Sequence, residues 1–316
     1  ATLPRLRSRV RASFPAPEYG PPGASAGHFF AHRLAAWMLL DFGQCALWPA
    51  GQTGACSVQT GESSPWVARL QKPCMPAPVT PSLHPLYRAQ ASRPPAIPDY
   101  LLRQYGWAYV HPRAVRFFER EWLVNLILWG HYARLCERAL DALGPVILGK
   151  TLQMACVYGN LTARLIGRLA PEARLDVLDI LPIQLQNLAA KIEADPRVRL
   201  VQGNTADAPQ ADASVDQVLM FFLLHEQPRD VRQASLREAQ RVLRPGGRLV
   251  LVDYHRPNRW HPLQLLMRGI FWQLEPFAMD LWTHSLDEFL PSSGHRTLTE
   301  GTEFGGLYQW RVVQKG

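Results

Sequence analysis

The segment "EAQRVLRPGGRLVLVDY", residues 238–254, runs from a helical pattern through a tight turn into a buried strand. Pro245, Gly246 and Gly247 end the helix, because proline cannot continue it and glycine favours turns. The apolar run after them is short and continuous, which is typical of a strand covered on both faces. The same alternation occurs upstream, and the predicted strands are 150–157, 174–180, 198–203, 215–224 and 248–255.

Five strands that alternate with helices predict an α/β fold with a doubly wound, mostly parallel sheet and right-handed crossovers. In such a sheet the ligand lies beyond the carboxyl ends of the strands. The candidate site is therefore expected among 158–159, 179, 203–204, 224–226 and 253–255. The final "EFGGLYQWRVVQK", residues 303–315, predicts a closing strand or hairpin at the sheet edge.

The chain divides into three predicted parts. Residues 1–97 are predicted to form a disordered, low-complexity extension, because residues 1–98 hold 15 of the 27 prolines and show little apolar periodicity. Residues 1–15 contain arginine and serine but no acid, which is typical of a targeting segment; an extension without function is the alternative. Residues 98–148 are predicted to form a helical cap, and residues 149–316 the α/β domain.

The composition is that of a globular protein, with 47% hydrophobic and 19% charged residues. The net charge of +8 does not indicate a nucleic-acid partner, because residues 99–316 carry only +2 of it. The five cysteines form no CxxC pair, so neither a zinc site nor a redox pair is expected. The apolar run at 122–129 is far shorter than the about 20 residues of a membrane-spanning helix.

The helical cap is predicted to contain two or three helices that cover one edge of the sheet. Asp99 is a plausible N-cap, and Pro112 breaks the helical pattern. After the break, Phe118, Trp122 and Leu126 recur at helical spacing. A long helix with these three residues on one face is therefore predicted.

Three segments together resemble the class I S-adenosylmethionine-dependent methyltransferases: "RLDVLDI" with Asp179 at its end, "FFLLHE" and "EAQRVLRPGGRLVLVDY". The resemblance implies that Asp179 accepts hydrogen bonds from the two ribose hydroxyls, since an ionised carboxylate offers two acceptor oxygens. It also implies that Asn204 faces the adenine amino group. The cofactor-binding residues that it implies are Cys156, Val157, Tyr158, Gly159, Asp179, Ile180, Asn204, Thr205 and Phe222.

The loop after the first strand departs from the usual "DxGxGxG" pattern of that family. Gln153 replaces the acid, Ala155 and Val157 replace the first two glycines, and only Gly159 remains. Glycine is used there because a backbone without Cβ can adopt a positive φ and approach the ligand closely. The departure predicts a shifted cofactor and puts an uncharged amide where relatives hold the methionine amino group.

This altered loop, with "VLDILPIQLQNL" and "VDYHRPNRWHP", is similar to the rhodoquinone biosynthesis (RquA) family over about Pro98 to Pro291. The resemblance implies conversion of ubiquinone to rhodoquinone. In that reaction an amino group from S-adenosylmethionine replaces a ring methoxy group, with support from manganese(II). An ordinary quinone methyltransferase and a non-catalytic scaffold of a quinone-synthesis complex are the alternatives.

Candidate residues for this chemistry stand where the fourth and fifth strands end. The candidate catalytic residues are Tyr158, His225 and Glu226. Glu226, Asp253 and His255 are the candidate manganese ligands, because manganese prefers carboxylate, imidazole and water. The alternatives are that His225 and Glu226 only line the pocket and that Asp253 only binds a loop.

Ubiquinone is a membrane lipid, so an apolar route into the enzyme is expected. The segment "WHPLQLLMRGIFWQLEPFAMDLW", residues 260–282, has a wide apolar helical face and no acid before Glu275. It is predicted to lie in a bilayer interface, with core packing as the alternative. The apolar stripe is Leu263, Leu266, Met267, Ile270 and Leu274, widened by Leu265, Phe271 and Trp272, with Arg256, Arg259 and Arg268 nearby.

The predicted substrate contacts are Tyr109, His111, Trp260, His261 and Met267. For Tyr109 and His111 the alternative is aromatic packing with a satisfied histidine. The expected location is the surface of the quinone-bearing membrane. This is the cytoplasmic face of a bacterial inner membrane, or the mitochondrial matrix face if residues 1–15 are a transit peptide.

Overall fold

The computed structural model describes residues 95–316, so the extension predicted at 1–97 lies almost entirely outside the described residues. The described part contains a sheet of seven strands. The strands are β1 (Lys150–Met154), β2 (Arg174–Asp179), β3 (Val198–Gln202), β4 (Val215–Phe221), β5 (Leu243–Tyr254), β6 (His295–Glu303) and β7 (Tyr308–Lys315).

The strand order is β3-β2-β1-β4-β5-β7-β6. The first five strands pair in parallel, whereas β7 is antiparallel to both β5 and β6. The prediction of an α/β fold with a doubly wound, mostly parallel sheet is confirmed, and so is the closing hairpin at its edge. The order reverses between β1 and β4, which opens a crevice at their carboxyl ends.

Both faces of the sheet are covered. Successive strand residues point to opposite faces, and Val177 and Leu178 accordingly join two different apolar clusters. Leu219 and Met220 of β4 divide in the same way. This two-sided burial explains why the strands are continuous apolar runs in the sequence.

Nine α-helices surround the sheet in the described part. They are α1 (Gly106–Tyr109), α2 (Pro112–Phe118), α3 (Glu121–Ile127), α4 (Tyr132–Leu143), α5 (Leu161–Gly167), α6 (Pro182–Lys191), α7 (Arg229–Val242), α8 (Gln264–Leu274) and α9 (Ala278–Thr283). A π-helical turn at Leu101–Tyr105 leads into α1, and 3-10 turns lie at Leu224–Glu226 and Leu286–Glu288. Within residues 95–316, no helix combines the length and the apolar character that a membrane span requires.

The prediction of one long helix in the cap is wrong. The chain bends after α2 and again at Trp129 and Gly130, both of which have positive φ. These bends rotate the helix faces, so Trp122 and Leu126 are about 60% exposed while Leu123 is buried. Spacing at i, i+4 and i+8 identifies a common face only while the helix axis is continuous.

Arg232 of α7 holds together the segments behind the candidate site. Its side chain is fully buried and forms an ion pair with Asp280 at 2.8 Å. The guanidinium also donates to the carbonyl oxygens of Leu224 (2.8 Å), Gln227 (3.0 Å) and Phe277 (2.9 Å). Arg232 therefore fixes the turn after β4 against the start of α9.

Replacing Arg232 with Met is expected to lower the free energy of unfolding by about 3–5 kcal/mol, because it leaves buried carbonyl oxygens without a donor and removes the buried partner of Asp280. Chemical denaturation measures the loss. Arg229→Met is the matched control: Arg229 also pairs with Asp280 but is exposed, so its loss should be about 1 kcal/mol or less. Equal losses for the two variants would contradict the proposed role of Arg232.

Candidate active site

The loop after β1 lies at the crevice and contains the altered motif. Gln153 is fully buried; its amide nitrogen donates to the carbonyl oxygen of Ala155 at 3.0 Å, and its oxygen accepts from the Thr162 hydroxyl at 3.1 Å. A neutral amide thus stands where an acid was expected in relatives, and both of its polar ends are bonded within the protein. Ala155 adopts the positive φ, 75°, that a glycine would adopt more cheaply.

Gly159 is retained for a steric reason. Its φ is +82°, and a Cβ atom there would lie 2.5 Å from the hydroxyl oxygen of Tyr132. That hydroxyl donates to the carbonyl oxygen of Tyr158 at 3.2 Å and accepts from the amide of Leu161 at 3.0 Å. Tyr132 therefore occupies the space next to the loop that a side chain at position 159 would need.

Asp179, at the end of β2, holds the other side of the loop. One carboxylate oxygen accepts from the amide of Cys156 and the other from the amide of Leu181, each at 2.8 Å. Burial raises the pKa of Asp179 to about 6, although these backbone hydrogen bonds oppose the shift. Hydrogen bonds from the Cys156 side chain and the Ile180 amide also lower the pKa of Asp179.

The other predicted cofactor contacts differ in whether their polar groups are already hydrogen-bonded within the protein. Asn204 accepts from the amide of Ala206 at 2.9 Å through its side-chain oxygen. The hydroxyl of Thr205 is buried and bonds Ser235 at 2.9 Å and Gln227 at 3.0 Å, so it belongs to the interior next to α7. Two further predicted cofactor contacts are apolar. Ile180, which follows β2, packs beside Tyr105. Phe222, which follows β4, has a φ of 53° and contacts the ring of His225.

Tyr158 joins the loop to the cap. Its ring stacks between Tyr109, at 5.6 Å, and Phe118, at 6.2 Å. Its hydroxyl donates to the carbonyl oxygen of Ala108 at 3.0 Å and accepts from Gln184 at 2.9 Å. Burial raises the pKa of Tyr158 well above its usual range. The structure thus favours a positioning role for Tyr158. It also places the cap over the carboxyl ends of the strands, whereas the sequence predicted that the cap covers one edge of the sheet.

An ion pair that the sequence does not reveal holds the backbone of the loop. Glu119, which follows α2, accepts from the amide of Gly159 at 3.0 Å and pairs with Lys191 at 2.6 Å. Lys191 also donates to the carbonyl oxygens of Val157 (3.0 Å) and Gly159 (2.8 Å). No local signal marks either residue, because helix ends commonly carry such charges.

His225 and Asp253 form a buried pair beyond β4 and β5. The His225 Nδ1 lies 2.9 Å from Oδ1 of Asp253. The same oxygen accepts from the amide of Tyr254 at 2.7 Å, and Oδ2 accepts from the amide of Leu224 at 2.8 Å. Burial alone would lower the pKa of His225, but the charge and hydrogen bond of Asp253 outweigh it and raise that pKa to about 9. His225 is therefore an imidazolium at neutral pH.

Glu226 lies next to this pair, but its pKa shift favours the neutral form of the side chain. It accepts a hydrogen bond from Tyr109 of the cap and lies 3.9 Å from the Nε2 of His225. Burial raises the pKa of Glu226 to about 8, and the nearby Glu275 adds to the shift. The carboxyl group is thus neutral at pH 7. Glu275 was not predicted; burial also raises its pKa, and its Oε2 has no hydrogen-bond partner in the described part.

The structure does not group the predicted manganese ligands Glu226, Asp253 and His255 into a metal site. Residues 95–316 contain no group of three or more His, Cys, Asp or Glu side chains placed to hold a metal ion. Asp253 is committed to His225 and backbone amides, and the Nδ1 of His255 bonds the carbonyl oxygen of Gly306 at 2.8 Å. The residues present do not fit a manganese site.

Of the five predicted substrate contacts, only Tyr109 lies in the site. His111 caps α2 at the surface, accepting from the amide of Arg113 at 3.3 Å. Met267 is buried in the core, and His261 packs edge-on against Phe304. Trp260 is 83% exposed. Sequence proximity to an apolar helix does not reveal which way each side chain points, and these four substrate contacts stay predictions.

A family model described as a methyltransferase domain matches residues 151–247. An uncharacterised methyltransferase of Synechocystis sp. is 32% identical over 211 residues, which are 66% of this chain and 93% of that protein. The ubiquinone/menaquinone biosynthesis C-methyltransferase UbiE of Dinoroseobacter shibae is 33% identical over 141 residues, 43% of this chain and 55% of UbiE. The demethylmenaquinone methyltransferase of Listeria welshimeri is 35% identical over 109 residues, 34% and 45% of the two chains.

Among solved structures, the mitomycin 7-O-methyltransferase MmcR has the same fold, with a TM-score of 0.52 at 17% identity over 67% of this chain and 60% of that one. The matched domain model spans β1 to the start of β5, and therefore includes the loop, Asp179 and the turn that bears His225 and Glu226. Since the likeness to the Synechocystis protein also extends over nearly that protein's whole length, this chain belongs to the methyltransferase family.

Proposed function

We propose that this protein is an S-adenosylmethionine-dependent transferase that replaces a ring methoxy group of ubiquinone with an amino group and so makes rhodoquinone. The observation that carries the proposal is the neutral, internally bonded Gln153 in the loop where methyltransferase relatives were expected to have an acid. Ala155 and Val157 stand where flexible glycines were expected, and Tyr158 is stacked under the cap. Such a loop favours a cofactor position that differs from that of a methyl donor.

A quinone acceptor is supported by the relatives. UbiE and the Listeria enzyme are named for methylation in ubiquinone and menaquinone synthesis. The cofactor is supported by Asp179, whose carboxylate lies beside the loop at the end of β2. A ribose with two hydroxyls fits such a carboxylate.

The absence of charge at position 153 matters for the donor amine. An α-ammonium has a pKa of about 7.7–8.0 and must lose its proton before it can attack a carbon atom. A neighbouring carboxylate would raise that pKa, whereas the amide of Gln153 does not. The amine is therefore more often neutral at physiological pH, which is the state that aminotransfer requires.

The proposed reaction has three steps. First, the amine adds to the methoxy-bearing ring carbon, and methoxide leaves as methanol after it takes up a proton. Second, the α-carbon and the nitrogen of the attached fragment each lose a proton, and two electrons pass to the ring; the two protons and two electrons reduce the quinone to a hydroquinone, and an imine remains. Third, water hydrolyses the imine and releases a 2-oxo acid and the aminohydroquinone, which is the reduced form of rhodoquinone. The quinone is the oxidant, so no other redox partner is needed.

Glu226 and His225 supply complementary groups for the first step. With a pKa of about 8, Glu226 is a neutral acid that can protonate the departing methoxide. With a pKa of about 9, His225 is a cation that can stabilise the negative charge that develops on the quinone oxygen. Asp253 fixes the orientation of the imidazole.

The second candidate function is methyl transfer to a quinone ring carbon. The 33% identity to UbiE favours it, although the match covers only 55% of UbiE. The two candidates share a cofactor and an acceptor class. They differ in the atom that is transferred, so product analysis separates them.

Incubation with ubiquinone and S-adenosylmethionine labelled with heavy nitrogen at its amino group is expected to yield a labelled aminoquinone. The donor amine becomes the ring substituent, so the product loses a methoxy group and retains the heavy nitrogen. Mass spectrometry of the extracted quinones measures both changes. A demethylated analogue of ubiquinone is offered in a parallel reaction, and a product that instead gains a methyl group establishes the second candidate. Binding of S-adenosylmethionine without formation of any product would instead support the non-catalytic scaffold.

Replacing Asp179 with Asn is expected to weaken S-adenosylmethionine binding about 10-fold to 100-fold, because hydrogen bonds to a charged group contribute about 1.5–3 kcal/mol each. Isothermal titration calorimetry measures the affinity. Asp176→Asn is the matched control on the same strand, because Asp176 pairs with Arg199 and Lys150 away from the loop. Unchanged affinity in D179N would refute the assignment of the ribose site.

The rate is expected to fall as the pH rises above about 8, up to tenfold per pH unit, because Glu226 ionises and can no longer donate a proton. Glu226→Gln should lower the rate about 100-fold or more and should abolish this pH limb. A pH–rate profile measured with saturating substrates tests both points. Glu193→Gln, at an exposed acid, is the control. Persistence of the limb in E226Q would assign it to another group.

A further inference from the structure

Helix α8 carries apolar side chains on both of its faces. Met267 and Phe271 point into the core and are essentially inaccessible. On the outward side, Leu265 is 83%, Leu266 51% and Trp272 78% exposed. Exposure of such large apolar groups on one helix face is costly in water unless something covers it.

The residue pattern continues just before α8, where Trp260 is 83% exposed. We call this surface the docking face; it consists of Trp260, Leu265, Leu266 and Trp272.

The charged residues in the segment that bears the docking face, residues 256–274, have a single sign. Arg256, Arg259 and Arg268 are exposed and form no ion pair among the described residues. The guanidinium of Arg259 lies 4.7 Å above the ring of Trp260. The sequence from 256 to 274 contains no acid. The face thus combines exposed leucine and tryptophan side chains with unpaired arginines.

This combination fits an anionic lipid surface better than a second copy of the chain. In a symmetric dimer the same patch meets itself, which would bring the unpaired arginines of both copies together. At a bilayer, apolar groups enter the acyl boundary, tryptophan rings lie at the headgroup level and arginines contact lipid phosphates. All three kinds of side chain occur on this face.

We propose that the docking face binds the surface of a bilayer that contains anionic lipid, with α8 lying parallel to the membrane plane. The proposal does not depend on the reaction that the enzyme catalyses. It explains why α8 has apolar side chains on both sides: the inner ones pack in the core, and the outer ones enter the lipid.

Vesicle flotation of the purified full-length chain tests the proposal. Binding is expected to vesicles of phosphatidylcholine with phosphatidylglycerol and to be weaker with phosphatidylcholine alone. The double variant L265Q/W272Q should bind at least about tenfold more weakly to both, because two apolar side chains no longer enter the bilayer. The triple variant R256Q/R259Q/R268Q should lose affinity only for the anionic vesicles, roughly fivefold per arginine.

The matched control is V146Q/L148Q, which removes two exposed apolar side chains just before β1, at the opposite end of the sheet. It should bind vesicles like the unchanged protein. Failure of the unchanged protein to float with anionic vesicles, or equal binding by L265Q/W272Q, would overturn the proposal. Light scattering of the same samples reveals the other occupant: a dimer that L265Q/W272Q converts to a monomer, with vesicle binding intact, would assign the face to a second copy. Since flotation needs neither cofactor nor turnover, its outcome is independent of the product analysis.

Discussion

The loop after β1 is held by hydrogen bonds to side chains from four other parts of the fold, and the candidate site depends on this arrangement. Asp179 accepts from the amide of Cys156, Glu119 accepts from the amide of Gly159, Lys191 donates to two carbonyl oxygens, and Tyr132 donates to a third. A glycine-rich loop keeps such groups available for its ligand. Here the protein itself satisfies several of them, which leaves less of the backbone to bind a cofactor in the usual way.

The same burial has opposite consequences for two adjacent residues. Removing a charge from water favours the neutral form of both an acid and an imidazole. For His225 the contact with Asp253 outweighs this cost, so the imidazole is charged at neutral pH. For Glu226 the charge of His225 and the hydrogen bond from Tyr109 do not outweigh burial and the nearby Glu275, so the pKa of the carboxyl group is raised to about 8 and its neutral form is favoured. In the proposed reaction, a neutral acid beside a cation is a suitable pair for the departure of methoxide from a ring that accumulates negative charge.

The cap and helix α8 show that the enzyme is closed above the strands and apolar at its surface. Tyr109, Phe118 and Tyr158 stack over the crevice, and in the proposed reaction their rings would shield the neutral amine from water. The outer side chains of α8 lie on an element whose inner side chains pack in the core. An acceptor that arrives from a lipid phase would meet an apolar surface before it meets the charged groups of the site.

The sequence by itself determined the class of fold, the alternation of strands and helices, the closing hairpin and the edge of the sheet where Tyr158, Asp179 and Glu226 lie. These features follow from local periodicity and turn chemistry, which act over a few residues. Only the tertiary structure decided which side chains meet there. The contact between Tyr109 and Glu226 joins residues 117 positions apart, and that between Glu119 and Gly159 residues 40 apart. The direction of a side chain such as Met267, and the commitment of Asp253 to His225 in place of a metal ion, depend on how whole elements pack, and no local pattern records that packing.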